Sequence, residues 1–217
     1  MTSFISDFLE ALRILTVLPL PAWEKGSLRA PAGAMLFYPF VGLLIGIVSL
    51  WVFAFLQPFF GSRFASLLLV ACPIFFTGGR NLKGFSDFLG GVLGTAGVVL
   101  LLVAKYELLQ DLPLKAGTYL LAVTAPGWVQ VFLNFYLPSA APKTGLRELA
   151  GASFFLFLIV VWLQWAGLFA FLALFVFCGA LLLIFRARPP AGGGWMGAAG
   201  EWTELFIYLF VTAAVRQ

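Results

Sequence analysis

Histidine is absent from this 217-residue chain, which removes Ser-His-Asp catalysis, His-ligated zinc and His ligation of haem or chlorophyll from the chemistry it can perform alone. Cysteine is nearly absent: Cys72 and Cys178 both fall within apolar stretches, where a thiol serves as a small packing group rather than a redox partner. Charge is scarce, at 10% of residues against 62% hydrophobic and 17% aromatic. With a mean hydropathy of +1.04, the apolar surface must face the lipid bilayer. Polar linkers and fixed-period repeats are also missing, so 1–217 is read as a single integral membrane domain. The net charge of +4 follows the asymmetry of membrane loops, and no nucleic-acid partner is expected. The run Gly192-Gly193-Gly194 is followed by no Gly-Lys-Ser/Thr, which favours close helix packing over a phosphate loop.

What is present is a series of helices. Asp7 and Glu10 stand where a cleavable signal needs positive charge, so the N-terminus is expected to stay. Phe4, Ile5, Phe8, Leu9, Leu12 and Leu15 fall on one helical stripe, with Asp7, Glu10 and Arg13 opposite. This predicts an amphipathic helix, capped by Ser3 and stopped by Pro19 and Pro21. It either lies in the membrane interface or packs on the bundle.

Apolar blocks follow at 35–56, 64–76, 89–104, 116–137, 152–185 and 205–215. The fifth, at 34 residues, would make a helix of about 51 Å, beyond the ~30 Å hydrocarbon core. It is expected to be two helices, divided near Gln164-Trp165-Ala166-Gly167. The short second block is expected to cross by borrowing flanking residues, with Pro73 kinking it and Arg63 reaching the headgroups. The fold class is therefore all-α: a polytopic membrane bundle of about seven spanning helices plus an N-terminal interfacial amphipathic helix.

Basic residues orient it. Seven spans collect Arg13, Lys25, Arg29, Arg80, Lys83, Lys143, Arg147, Arg186 and Arg188 on one side, and Arg63, Lys105, Lys115 and Arg216 on the other. Nine against four places the N-terminus in the cytoplasm of a bacterial inner membrane; without the division the count is eight against five. Residues 81–91, 138–146 and 192–204 then share the cytoplasmic face, where a pocket can form. Among seven Trp and 25 Phe, Trp128, Phe132, Trp162 and Trp165 fall in or near spanning blocks. They suit interface belts or a surface for other integral membrane subunits.

The most telling stretch is 77–91, Thr-Gly-Gly-Arg-Asn-Leu-Lys-Gly-Phe-Ser-Asp-Phe-Leu-Gly-Gly. Before it come 12–21 (LRILTVLPLP) and 37–46 (FYPFVGLLIG). After it come Ala125-Pro126-Gly127-Trp128, Tyr136-Leu137-Pro138, Gly145-Leu146 and 193–204 (GGWMGAAGEWTE). In order and spacing these resemble the cobalamin-5'-phosphate synthase family, over nearly the whole chain. These membrane enzymes join adenosylcobinamide-GDP to α-ribazole or its phosphate and release GMP. The family's central motif reads Thr-Gly-Gly-x-His-Leu-Asp-Gly-Leu-Ala-Asp-Thr-x-Asp-Gly, and its C-terminal pattern Gly-Asp-x-x-Gly-Ala-x-x-Glu-x-x-Glu.

The departures fall on the chemistry. Asn81 stands for the family's His; of three motif aspartates the first is Lys83, the second survives as Asp87 and the third is Gly90. The charged Arg-rich stretch after the motif is missing. Gly194 replaces the C-terminal Asp and Gly127 an Arg, while Glu201 and Glu204 remain. The resemblance implies Mg²⁺ held by several carboxylates to neutralise the leaving group. One Asp beside a Lys is a poor substitute for hard oxygen ligands. At an effective dielectric of 20, a unit positive charge 4 Å from a divalent ion repels it by about 8 kcal/mol.

On a helix, Arg80, Lys83 and Asp87 share a face. The expectation is an ion-pair cluster with Glu201 and Glu204 in place of the metal, hence no metal, no cofactor and no catalytic residue. The favoured reading is a pseudoenzyme kept as a structural or accessory subunit of a larger membrane complex. The alternative is a working adenosylcobinamide-GDP ribazoletransferase in which Asp87, Glu201 and Glu204 hold Mg²⁺ and Asn81 binds substrate. A third reading is a corrinoid or other amphiphile bound in the vestigial pocket.

Overall fold

The computed structural model describes residues 2–20, 32–110, 115–137, 144–162, 164–187 and 194–215. Among them every element is helical: α1 (Thr2–Leu15), α2 (Ala32–Met35), α3 (Tyr38–Thr77), α4 (Arg80–Leu89), α5 (Gly91–Gln110), α6 (Lys115–Tyr136), α7 (Leu146–Trp162), α8 (Gln164–Ala187) and α9 (Gly194–Val215). The all-α polytopic bundle expected from the sequence is the architecture found. Among the described residues four stretches are long and apolar enough to cross a bilayer: Gly33–Thr77, Gly91–Gln110, Ala116–Tyr136 and Leu168–Arg186. The seven expected crossings fall on the two halves of α3 and on α5 through α9, of which α7 and α9 are not among those four stretches.

Helix α1 satisfies both readings of its amphipathic pattern. Phe8, Leu12 and Leu15 pack against the core, and the rings of Phe4 and Phe8 meet Phe37 edge-on at 4.7 and 5.7 Å. Phe4 and Ile5 nevertheless remain exposed, as an interfacial helix requires. Ser3 lies inside the first turn rather than capping it. On the polar face Arg13 pairs with Glu10 at 2.7 Å. The exit is tied down where the backbone N–H of Val17 donates to Phe76 O at 2.8 Å, at the far end of α3.

The first two apolar blocks form one helical run with a break, and the break is not at Pro73. Gly61, at φ 78° and ψ 165°, is the residue of α3 that leaves helical backbone, a conformation that glycine adopts without a Cβ penalty. The fifth block divides as expected, with α7 ending at Trp162 and α8 starting at Gln164; the side chains of both, and of Trp165, lie outside the described residues. So do the loop residues 138–143 and 188–193 and the basic residues Lys25, Arg29, Lys143, Arg188 and Arg216.

Helix α6 forms the centre, against α3, α7, α8 and α9. Trp128 and Phe132 are stacked at 5.2 Å and buried, which corrects their expected place at a membrane interface or partner surface. Trp128 is held by its indole N–H, which donates to Ser153 Oγ on α7 at 2.9 Å. Burial of so large an amphipathic ring needs such a partner. Cys178 is fully buried, consistent with its packing role.

Candidate functional site

The Thr-Gly-Gly sequence is a backbone device. Thr77 closes α3, and Gly78 and Gly79 both adopt left-handed backbone, at φ 61° and 66°, before α4 begins at Arg80. A Cβ at position 78 would also lie 2.4 Å from the Val17 side chain. Two successive left-handed residues reverse the chain in the shortest space, and only glycine does so cheaply. The turn lays α4 against α9, and three glycines set how closely. A Cβ on Gly84 would be 2.8 Å from Gly194 O, and one on Gly197 would be 2.7 Å from Asn81 O.

This packing brings some motif positions together and separates others. Asn81 lines a cavity of about 70 Å³ with Lys105, Gln130, Glu201 and Glu204, roofed by apolar residues of α3 and α6. Lys83 and Asp87 lie outside it on the exposed side of α4. Gly90 ends α4 at φ 76°, with open space where a Cβ would stand. Gly194 sits beside the Cβ of Asp87, about 10 Å before Glu201 along α9 at 1.5 Å per residue.

The expected ion-pair cluster is not the one the fold makes. Among the described residues no ion pair joins Lys83 to Asp87. Arg80 donates to backbone oxygens at the end of α1, Ile14 O and, at 3.3 Å, Thr16 O. Glu201 and Glu204 are taken by Lys105, whose Nζ stands 2.5 and 2.7 Å from their Oε2 atoms. The three side chains are only 6%, 7% and 14% exposed, and Tyr208 adds a hydroxyl donating to Glu204 Oε1 at 3.0 Å. Lys105 is therefore no marker of the outer water boundary, as its place in the charge count assumed. It turns inward because α9 offers two carboxylates at one helical face, i and i+3. Removing it leaves nine basic residues against three, in the same sense as before.

The donors present do not fit the divalent ion that the resemblance implies. Two of the surviving carboxylates already coordinate an ammonium, and the third is on the exposed side of α4. Among the described residues no group of three or more His, Cys, Asp or Glu converges on a point that could hold a metal. At about 70 Å³ the cavity is smaller than the roughly 300 Å³ at which sites for drug-sized ligands begin. Lys105, Gln130 and Tyr208 were not singled out by sequence. The available signal for Lys105 was one lysine directly after a long apolar run.

The model of the cobalamin-5-phosphate synthase family matches residues 7–95. Among curated proteins, the adenosylcobinamide-GDP ribazoletransferase of Acetivibrio thermocellus is 29% identical over 145 residues, 67% of this chain and 55% of that protein. The enzyme of the same name from Escherichia coli K12 is 29% identical over 140 residues, 54% of this chain and 57% of its own. These two matches thus span little more than half of each relative. The one from Desulfitobacterium hafniense is 27% identical over an alignment of 243 positions that covers 94% of both. No solved structure matches. The family match across the Thr-Gly-Gly turn and α4, with a relative aligned almost end to end, makes this chain similar to the cobalamin-5'-phosphate synthase family.

Proposed function

We propose that this chain is a non-catalytic member of the family, a structural or accessory subunit of a larger complex in a bacterial inner membrane, with its N-terminus in the cytoplasm. The observation that carries this reading is the closure of the site at Gly194. A Cβ there would stand 2.9 Å from Gly84 O and 3.2 Å from the Cβ of Asp87, so the family's carboxylate has no space at this position. The Arg position is closed in the same way: a Cβ on Gly127 would be 2.6 Å from the carbonyl carbon of Tyr38. Cores transmit such backbone contacts as strain rather than absorbing them. Helix packing thus takes up the space that ligands for metal and phosphate would need. A chain that keeps the fold without the chemistry is best explained by contacts with other membrane subunits.

Expression in a strain lacking its own synthase, supplied with cobinamide and dimethylbenzimidazole, tests the proposal; no cobalamin should form. Gentle solubilisation followed by mass spectrometry should recover the chain with other integral subunits, and isolation only as a monomer would count against the subunit role.

A second reading is ribazole transfer with an altered site, supported by the name that all the relatives above share and by the near-complete alignment with the Desulfitobacterium protein. It requires Lys105 to leave Glu201 and Glu204, and Mg²⁺-dependent cobalamin formation in the same strain would establish it.

A further inference from the structure

We propose that Lys105 is a built-in cation: its ammonium fills the place between Glu201 and Glu204 that a free divalent ion would otherwise take, and so keeps the cavity closed to metal. The inference concerns binding alone: it is independent of the subunit role and excludes the second reading above, in which Mg²⁺ displaces Lys105.

Four observations converge on it. Lys105 belongs to α5 and the glutamates to α9, so the contact is made between helices, 96 and 99 residues apart in sequence. Each Oε2 takes one bond from the same nitrogen, which places Nζ between the two carboxylates as a bridging ion would be placed. The three groups are almost fully buried, where two carboxylates without a counter-charge are strongly disfavoured. Finally, the cavity wall beside them carries the amides of Asn81 and Gln130, oxygen donors of the kind that hard cations use to complete their shell. An ammonium supplies one positive charge and three donors; a divalent ion in the same place would supply two charges and accept all of these oxygens. The lysine therefore competes with metal for one location, and because it is tethered its effective concentration there is fixed and a free ion must displace it.

Full-length protein in detergent, titrated with Mn²⁺ and read by electron paramagnetic resonance, tests this. Wild type should leave Mn²⁺ free. Lys105→Met should bind one Mn²⁺ with at least about tenfold higher affinity, a change of 1.4 kcal/mol. Lys105→Met with Glu201→Gln should lose that site. Thermal melting gives an independent reading: Mn²⁺ should raise the melting temperature of Lys105→Met and leave wild type unchanged. Should Lys105→Met not fold, the neutral triple variant with Glu201→Gln and Glu204→Gln should fold, because it removes the charges that Lys105 balances. Mn²⁺ bound equally by wild type and Lys105→Met overturns the proposal. So does a folded Lys105→Met that binds none, or a triple variant no more stable than Lys105→Met.

Discussion

The hydroxyl of Tyr119 donates to the carbonyl oxygen of Leu69 at 2.8 Å, and that oxygen is the one Pro73 leaves without its helical partner. A proline four residues on has no N–H to offer. Tyr119, on α6, supplies the missing donor from a fully buried position, so the proline's cost in α3 is met by a contact between helices.

Tyr119→Phe should therefore leave a buried carbonyl unpaired and destabilise the chain by about 1–3 kcal/mol. In a Pro73→Ala background the helix regains its own bond, and the same substitution should cost less. Thermal unfolding of the four proteins of this cycle gives the coupling; equal costs in both backgrounds would mean that Pro73 is not the reason for the contact.

Glycine spacing between α4 and α9 makes a second prediction. Gly197→Ala places a Cβ against the Asn81 backbone and should cost about 1–3 kcal/mol through overpacking. Gly179→Ala, with nothing within 4 Å, is the control. A Cβ at that position of α8 should be neutral or slightly stabilising, since alanine is the better helix former. Melting temperatures of the two variants, compared at equal detergent concentration, decide this.

Gly61→Ala isolates backbone strain from packing, because a Cβ there also meets nothing within 4 Å. Its positive φ with extended ψ, a combination open essentially to glycine alone, should make it destabilising by about 1–3 kcal/mol. A neutral result would mean that the break in α3 is not held at this residue.

The proposed orientation yields a topological prediction. A single cysteine introduced at Gly61, in a background with Cys72 and Cys178 replaced by Ala, should react with a membrane-impermeant maleimide added outside intact cells. One at Gly90 should react only after the cells are opened. The reverse pattern would invert the membrane topology and move the Thr-Gly-Gly turn to the outer face.

Much of the fold was legible because bilayer thickness is a hard ruler. A 152–185 helix is too long to cross once, and the chain divides between Trp162 and Gln164. The stop at Gly61 was less visible: it lies between two apolar blocks, and nothing in its neighbours distinguishes a loop from a one-residue break. Within the site, Asn81, Glu201 and Glu204 were found by motif, but their partner was not. A lysine at the end of an apolar run looks the same whether it reaches out to headgroups or in towards the bundle. The difference lies on α9, 96 residues away. Trp128 was misplaced for a related reason, since indole suits both interfaces and cores, and Ser153, which decides between them, belongs to another helix.

Helix packing at Gly194 and the hold of Lys105 on Glu201 and Glu204 underlie the proposal that this chain carries no transferase site. The most direct measurement is GMP release by purified, detergent-solubilised protein given adenosylcobinamide-GDP, α-ribazole and Mg²⁺, beside a family enzyme as positive control. Release should be no faster than in the absence of protein. Mg²⁺-dependent GMP formation that disappears in Glu201→Gln would contradict it.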